Sequence, residues 1–170
     1  MTFEKFKIDA ETASEQEAKR TYSEVVKVLT AQGRTVATAE SCTGGLIGKL
    51  FTDVSGASAV FAGGMITYTN HIKINKLGVS AKTIANHTEV SFECASEMAE
   101  RARLYFETDV GVSATGYAGP GGGTEQDPVG TVYVGVADGE TVRAYRLSFG
   151  ALTRDEIRYG VAKFIAEQLL

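Results

Sequence analysis

The chain has 170 residues, 44% of them hydrophobic, which supports one core of ordinary size and falls short of two comfortable domains. A net charge of -4 on mixed-sign segments, with no Lys/Arg cluster beside aromatic residues, argues against a nucleic-acid partner. Apolar runs too short for a bilayer, an N-terminus without a signal-like apolar stretch, and two cysteines that fit no disulfide framework or zinc ribbon argue for a soluble cytoplasmic protein.

Residues 1–13 read as an N-terminal arm, loose or carrying a short extra turn, ahead of a single domain over 14–170. Ser14-Glu15-Gln16-Glu17 has the form of a capping box, and Tyr22, Val25, Val26 and Leu29 then recur at helical spacing until Gly33 stops the element. Val36-Ala37-Thr38-Ala39 is the first strand, followed by the turn Glu40-Ser41-Cys42-Thr43-Gly44-Gly45 and a helix to about Phe51. After a turn at Asp53-Val54-Ser55-Gly56, a second strand runs through Ala59–Ala62 and Met65–Tyr68, interrupted at Gly63-Gly64. Short helical pieces follow around Ile72–Leu77 and Ala81–Ala85. Val90, Cys94, Met98 and Ala102 recur every four residues and predict a longer helix to about Phe106. Val110–Thr115 is a strand that ends at Gly116. Thr131–Val136 and Val142–Phe149 flank a hairpin turn at Asp138-Gly139. Thr153-Arg154-Asp155-Glu156 caps a last helix whose Ile157, Val161, Ile165 and Leu169 face the body. Helices alternating with apolar strands, plus one hairpin, predict an α/β protein with a mixed central sheet covered on both faces.

Three glycine-bearing turns follow strands: the one after Ser41, the one after Tyr68, and Gly116–Gly123, which holds five glycines in eight residues. In an open sheet such turns converge on one crevice at the carboxyl ends of the strands. Ser41, between strand and helix, is there either a helix N-cap or a nucleophile. As a nucleophile it needs a base. Tyr68 and Lys73 stand where they could reach it, a partly desolvated lysine taking the proton directly or through the phenol, although each has an ordinary reading as a half-core or surface residue. Backbone N–H groups around Thr43, Gly44 and Gly45 would face the oxyanion of a tetrahedral intermediate. Glu40 either satisfies the helix N-terminus or orients the serine or lysine. Cys42 reads as a small buried hydrophobe. The glycine-rich segment is a surface turn or a backbone cradle for phosphate or sugar. Neither the phosphate-loop spacing, nor the glycines of a nucleophile elbow, nor a Ser-x-x-Lys dyad is present. His71 and His87 lack metal-ligand spacing, so neither a metal nor another cofactor is expected.

Ala39–Gly45, Tyr68-Thr69-Asn70-His71-Ile72-Lys73 with Leu77-Gly78-Val79, Thr115–Gly123 and Pro128–Val132 together resemble the CinA C-terminal domain, or PncC-type nicotinamide-nucleotide amidase, family. The resemblance runs from about residue 15 to the end. It implies a three-layer α/β/α sandwich and hydrolysis of the carboxamide of nicotinamide mononucleotide to nicotinic acid mononucleotide and ammonia. It puts the family's serine, tyrosine and lysine on Ser41, Tyr68 and Lys73, with Tyr68 or Lys73 relaying the serine proton to ammonia. Glu40, Asn70, Thr115, Gly116, Gly119, Gly121 and Gly122 are then the expected substrate contacts. It implies a stand-alone homodimer acting on a pyridine mononucleotide. One departure is Gly63, where relatives often carry an arginine. A lost cation there would weaken phosphate binding, which leaves open a non-catalytic pyridine-nucleotide-binding or regulatory module of the same fold.

Overall fold

Val36-Ala37-Thr38-Ala39-Glu40 is buried along its whole length, as expected of a parallel strand covered on both faces. In the computed structural model, which describes residues 2–170, this segment is β2 (Val36–Glu40) of a six-stranded sheet. The others are β1 (Thr2–Asp9), β3 (Phe61–Ile66), β4 (Val110–Gly116), β5 (Thr131–Asp138) and β6 (Thr141–Ser148). Their spatial order is β1-β6-β5-β4-β2-β3. β3, β2 and β4 run parallel, β5 is antiparallel to both its neighbours, and β1 lies parallel to β6. The sheet is therefore mixed and the architecture is the three-layer α/β/α sandwich.

One face carries α1 (Glu15–Gln32), α2 (Leu46–Thr52) and α6 (Arg154–Glu167). α1 starts on the Ser14 capping box, the Glu17 carboxylate accepting the Ser14 N–H at 2.8 Å, and stops at Gly33 in the left-handed conformation. α6 starts on the matching box of Thr153 and Glu156. Tyr22 and Phe51 from the first two helices meet Ile157, Val161 and Ile165 of α6 in the larger core, and the Tyr22 hydroxyl donates to the Ala162 carbonyl at 3.1 Å.

The opposite face carries α4 (Ala81–His87) and α5 (Phe92–Tyr105). α5 presents Cys94, Ala95, Met98, Ala99 and Ala102, all buried, and it rests almost directly on the sheet backbone. A Cβ at Gly111 would lie 2.1 Å from the Ala99 carbonyl oxygen, and one at Gly135 2.3 Å from that of Ala95. Ser113 between them donates to the Ala95 carbonyl at 2.6 Å. Two strand glycines thus set the height of the helix above the sheet.

Three expectations need correction. Thr2–Asp9, expected as a loose arm, is an eight-residue edge strand. Its charges interleave with Phe3, Phe6 and Ile8, so it has no internal period to read. The open edge of β6 makes it a strand, Phe6 stacking on Tyr145 at 5.1 Å and Lys5 pairing with Glu93 at 2.5 Å. The second strand is not broken at Gly63-Gly64: Ala57–Ala59 is a 3-10 turn and β3 runs through both glycines. Tyr68 consequently lies beyond the strand. Among the described residues no helix is long and apolar enough to cross a membrane.

Gly111→Ala is expected to cost about 3 kcal/mol through overpacking against α5, lowering the melting temperature by roughly 6–12 °C. Thermal unfolding followed by circular dichroism checks this, and an unchanged midpoint would contradict the close approach.

Candidate active site

Because β2, β3 and β4 are parallel, their carboxyl ends share one edge of the sheet, and backbone bonds stitch the segments that leave them. The Ser41 N–H donates to the Ala114 carbonyl at 2.9 Å, and the Thr67 N–H donates to the Glu40 carbonyl at 2.7 Å. Thr69 then caps a single turn, α3 (Asn70–Ile72), whose continuation into a π turn over Lys73–Leu77 brings Lys73 back beneath the edge. Lys73 Nζ lies 3.1 Å from Ser41 Oγ and donates to the Thr67 carbonyl at 2.8 Å. The lysine is 1% exposed. Burial holds its pKa below the usual lysine value, against weaker opposing fields from Cys94, Glu89 and Cys42.

Ser41 and Lys73 open onto a cavity of about 360 Å³. Of the residues expected from sequence, Tyr68, Asn70, Thr115, Gly116, Gly119 and Gly121 also line it. Gly122 does not, and packs on the Tyr117 ring instead. Cys42 lies on the wall beside the serine, and burial pushes its thiol up to about 12, so it holds very little reactive thiolate at neutral pH. Thr115 acts from the side, donating to the Glu89 carbonyl at 2.7 Å.

The expected oxyanion donors are rearranged. Glu40 is 2% exposed and its carboxylate accepts the N–H groups of Gly45 at 3.0 Å, Ile47 at 3.1 Å and Gly48 at 2.8 Å. Gly44 N–H goes to the Ser41 carbonyl at 3.1 Å. Gly44 and Gly45 are thus spent within the turn, and Glu40, expected among the substrate contacts, is a buried cap for the start of α2. The amide of Thr43 remains, joined by that of Cys42: among the described residues neither donates to a carbonyl or carboxylate. The Thr43 carbonyl is held by Arg158, through Nε at 3.1 Å and Nη2 at 2.6 Å, which fixes the peptide orientation in this turn.

Tyr68 is also rearranged as a candidate base. It is 60% exposed, and its hydroxyl accepts from Arg154 Nη2 at 3.2 Å with no hydrogen bond to Ser41. Arg154 also donates to the Gly119 carbonyl at 2.7 Å, so it ties the tyrosine turn to the glycine-rich loop at the cavity mouth. Sequence reasoning missed it, although a signal was there. Arg154 is the first residue of α6, where the helix dipole disfavours a cation, and a cation in such a place asks for a reason outside the helix. Gly63, by contrast, faces Phe106, a Cβ there meeting the ring at 2.9 Å, and lies outside the cavity wall. The far end of the glycine-rich loop is clasped by Asp127, whose Oδ1 accepts from Arg146 Nε at 2.9 Å and the Tyr133 hydroxyl at 3.0 Å.

With this geometry in view, the comparisons with known proteins are informative. The family description that matches the chain, over residues 18–170, is the CinA C-terminal domain. A Halothermothrix orenii protein carrying the competence-damage inducible name is 55% identical over 128 residues, covering 74% of this chain and 31% of that protein. A CinA-like protein from Myxococcus xanthus is 47% identical over 146 residues, covering 85% of this chain and 34% of that one. The chain spans about a third of the length of these curated relatives. Among solved structures, the competence/damage inducible protein CihA from Agrobacterium tumefaciens superposes with a TM-score of 0.87 at 36% identity, covering 90% of this chain and 93% of that one.

Glu40→Gln keeps the shape but replaces one acceptor oxygen by a donor facing a backbone N–H. It is expected to lower stability by about 1–3 kcal/mol, read from denaturant midpoints, and to reduce activity as the Ser41 turn loosens. Wild-type stability would contradict the capping role.

Proposed function

The chain belongs to the CinA C-terminal-domain family, and on that footing we propose that it is a serine amidohydrolase that converts nicotinamide mononucleotide to nicotinic acid mononucleotide and ammonia. The observation that carries this reading is the buried Lys73 amine 3.1 Å from the Ser41 hydroxyl on the wall of a polar cavity.

In its neutral form Lys73 accepts the Ser41 proton while Oγ attacks the carboxamide carbon. The carbonyl oxygen becomes an oxyanion facing the amide of Cys42, which is on the cavity wall. As the intermediate collapses, the C–N bond breaks and the Lys73 ammonium returns its proton to the departing nitrogen, which leaves as ammonia. A water molecule, deprotonated by the same amine, attacks the ester of the acyl-enzyme and releases the carboxylate and Ser41. Tyr68 contributes its ring as a wall for the pyridine and Arg154 a cation for the phosphate, in place of the proton relay expected of the tyrosine. The binding-only alternative rested on Gly63, which lies outside the cavity wall.

Purified protein incubated with nicotinamide mononucleotide is expected to release ammonia, and Ser41→Ala to reduce the rate by roughly 10⁴-fold or more. Turnover unchanged in that variant would overturn the nucleophile.

The rate is expected to rise with pH through the lowered Lys73 pKa and to level off before the ordinary lysine value of 10.5, because the active form is the unprotonated amine. Stability follows the same direction. Between the folded and unfolded pKa the unfolded chain binds the extra proton, so raising the pH in that window lowers the cost of the proton that folding must release and stability rises. Lys73→Met is therefore expected to abolish ammonia release while raising the melting temperature at neutral pH. A variant that is both inactive and less stable would mark Lys73 as structural.

A further inference from the structure

The cavity wall carries two cations, each with a place. Lys73 is held between Ser41 and the Thr67 carbonyl, and Arg154 between the Gly119 carbonyl and the Tyr68 hydroxyl. It carries one carboxylate, Glu89, which has no such partner. Among the described residues Glu89 forms no ion pair, and its only side-chain contact is the Asn70 amide, with Nδ2 at 3.5 Å from Oε2. Its backbone is nevertheless fixed, since its carbonyl accepts the Thr115 hydroxyl at 2.7 Å, so the residue is anchored on the wall. A half-buried carboxylate without a counter-charge is a binding site for a cation. A neutral ligand that excluded water from it would leave it unpaired, whereas a ligand with a positive centre would complete it.

We propose that Glu89 is the specificity-determining residue that reads the positive charge of the substrate's ring, so that the site selects a pyridinium carboxamide over the same carboxamide on a neutral ring. This rests on the amidase reading above, which already supplies a carboxamide for Ser41 and a phosphate for Arg154. A pyridinium nucleotide carries three features, an amide, a ring cation and a phosphate, and the cavity offers a separate group for each.

The test compares nicotinamide mononucleotide with its 1,4-dihydro form, which keeps the amide, ribose and phosphate and lacks the ring charge. Binding to Ser41→Ala, which prevents turnover, is measured by calorimetry, with and without Glu89→Gln. The oxidised nucleotide is expected to bind Ser41→Ala about tenfold more tightly than the reduced one, and Glu89→Gln to bring the ratio close to one by weakening the oxidised form alone. An affinity for the reduced form that stays within about twofold certifies that the site is folded. Equal binding of the two forms to Ser41→Ala, a ratio unmoved by Glu89→Gln, or a parallel loss for both forms would overturn the role of Glu89 while leaving the amidase reading standing. Failure of both nucleotides to bind Ser41→Ala would instead remove the amidase reading and this inference with it.

Discussion

A lysine side chain taken out of water next to a serine hydroxyl is the constraint on which the rest of the site depends. An ammonium group in that position is expensive, and its low solvation is what makes the free amine accessible. The arrangement works because burial outweighs the weaker field of the one carboxylate that acts on the amine, Glu89. Glu40 is one residue from Ser41 in sequence and could have served as a second. It is turned instead beneath the start of α2, where three backbone amides absorb its charge, and it is not among the groups that act on Lys73. The site thus holds a buried carboxylate and a buried amine without pairing them. Each is satisfied by backbone, the acid by donors and the base by the Thr67 carbonyl.

That division also decides where an anion could sit. A helix N-terminus at the end of a parallel strand is the usual place for one. Here the Glu40 carboxylate already fills it, and the guanidinium on the cavity wall is that of Arg154. The glycines after Ser41 therefore serve chain geometry and the cap, and among the described residues the amides of Cys42 and Thr43 are left without a carbonyl or carboxylate partner. Arg158 completes the turn from the other side by gripping the Thr43 carbonyl, so a helix remote in sequence steadies the peptide next to the nucleophile.

Much of this was legible in the sequence because it is written in local chemistry. The two capping boxes, the glycine stop after α1, the buried spacing of Val90, Cys94, Met98 and Ala102, and the strand into Gly116 all report short-range physics that the fold does not override. The pairing of Ser41 with Lys73 was legible one level higher, from the rule that turns at the carboxyl ends of parallel strands share an edge. What was not legible depends on partners distant in sequence. Thr2–Asp9 is a strand only because β6 offers an unpaired edge. Tyr68 points to Arg154 because a helix starting 86 residues later arrives beside it. The loss of Gly45 as a free donor follows from a side-chain rotation of Glu40 that composition cannot report, and that of Gly44 from a turn bond to the Ser41 carbonyl.

The two edges of the sheet further separate the site from the rest of the molecule. β3, next to β2, is one edge, and β1 is the other, with β6, β5, β4 and β2 between them. The matched family region begins at residue 18, so β1 lies outside it. Every residue that touches the cavity falls between Ser41 and Arg154, carried on the exits of β2, β3 and β4, the segment entering α5, and the start of α6. Adding a strand beside β6 therefore extends the sheet without moving any of them. Lys5 and Lys7 on that strand are the kind of charged side chains that keep an exposed edge from pairing with another chain. The cavity is confined to one end of the parallel half of the sheet, and the antiparallel half supplies rigidity through α5, whose close seat on Gly111 and Gly135 locks β4 and β5 together behind it.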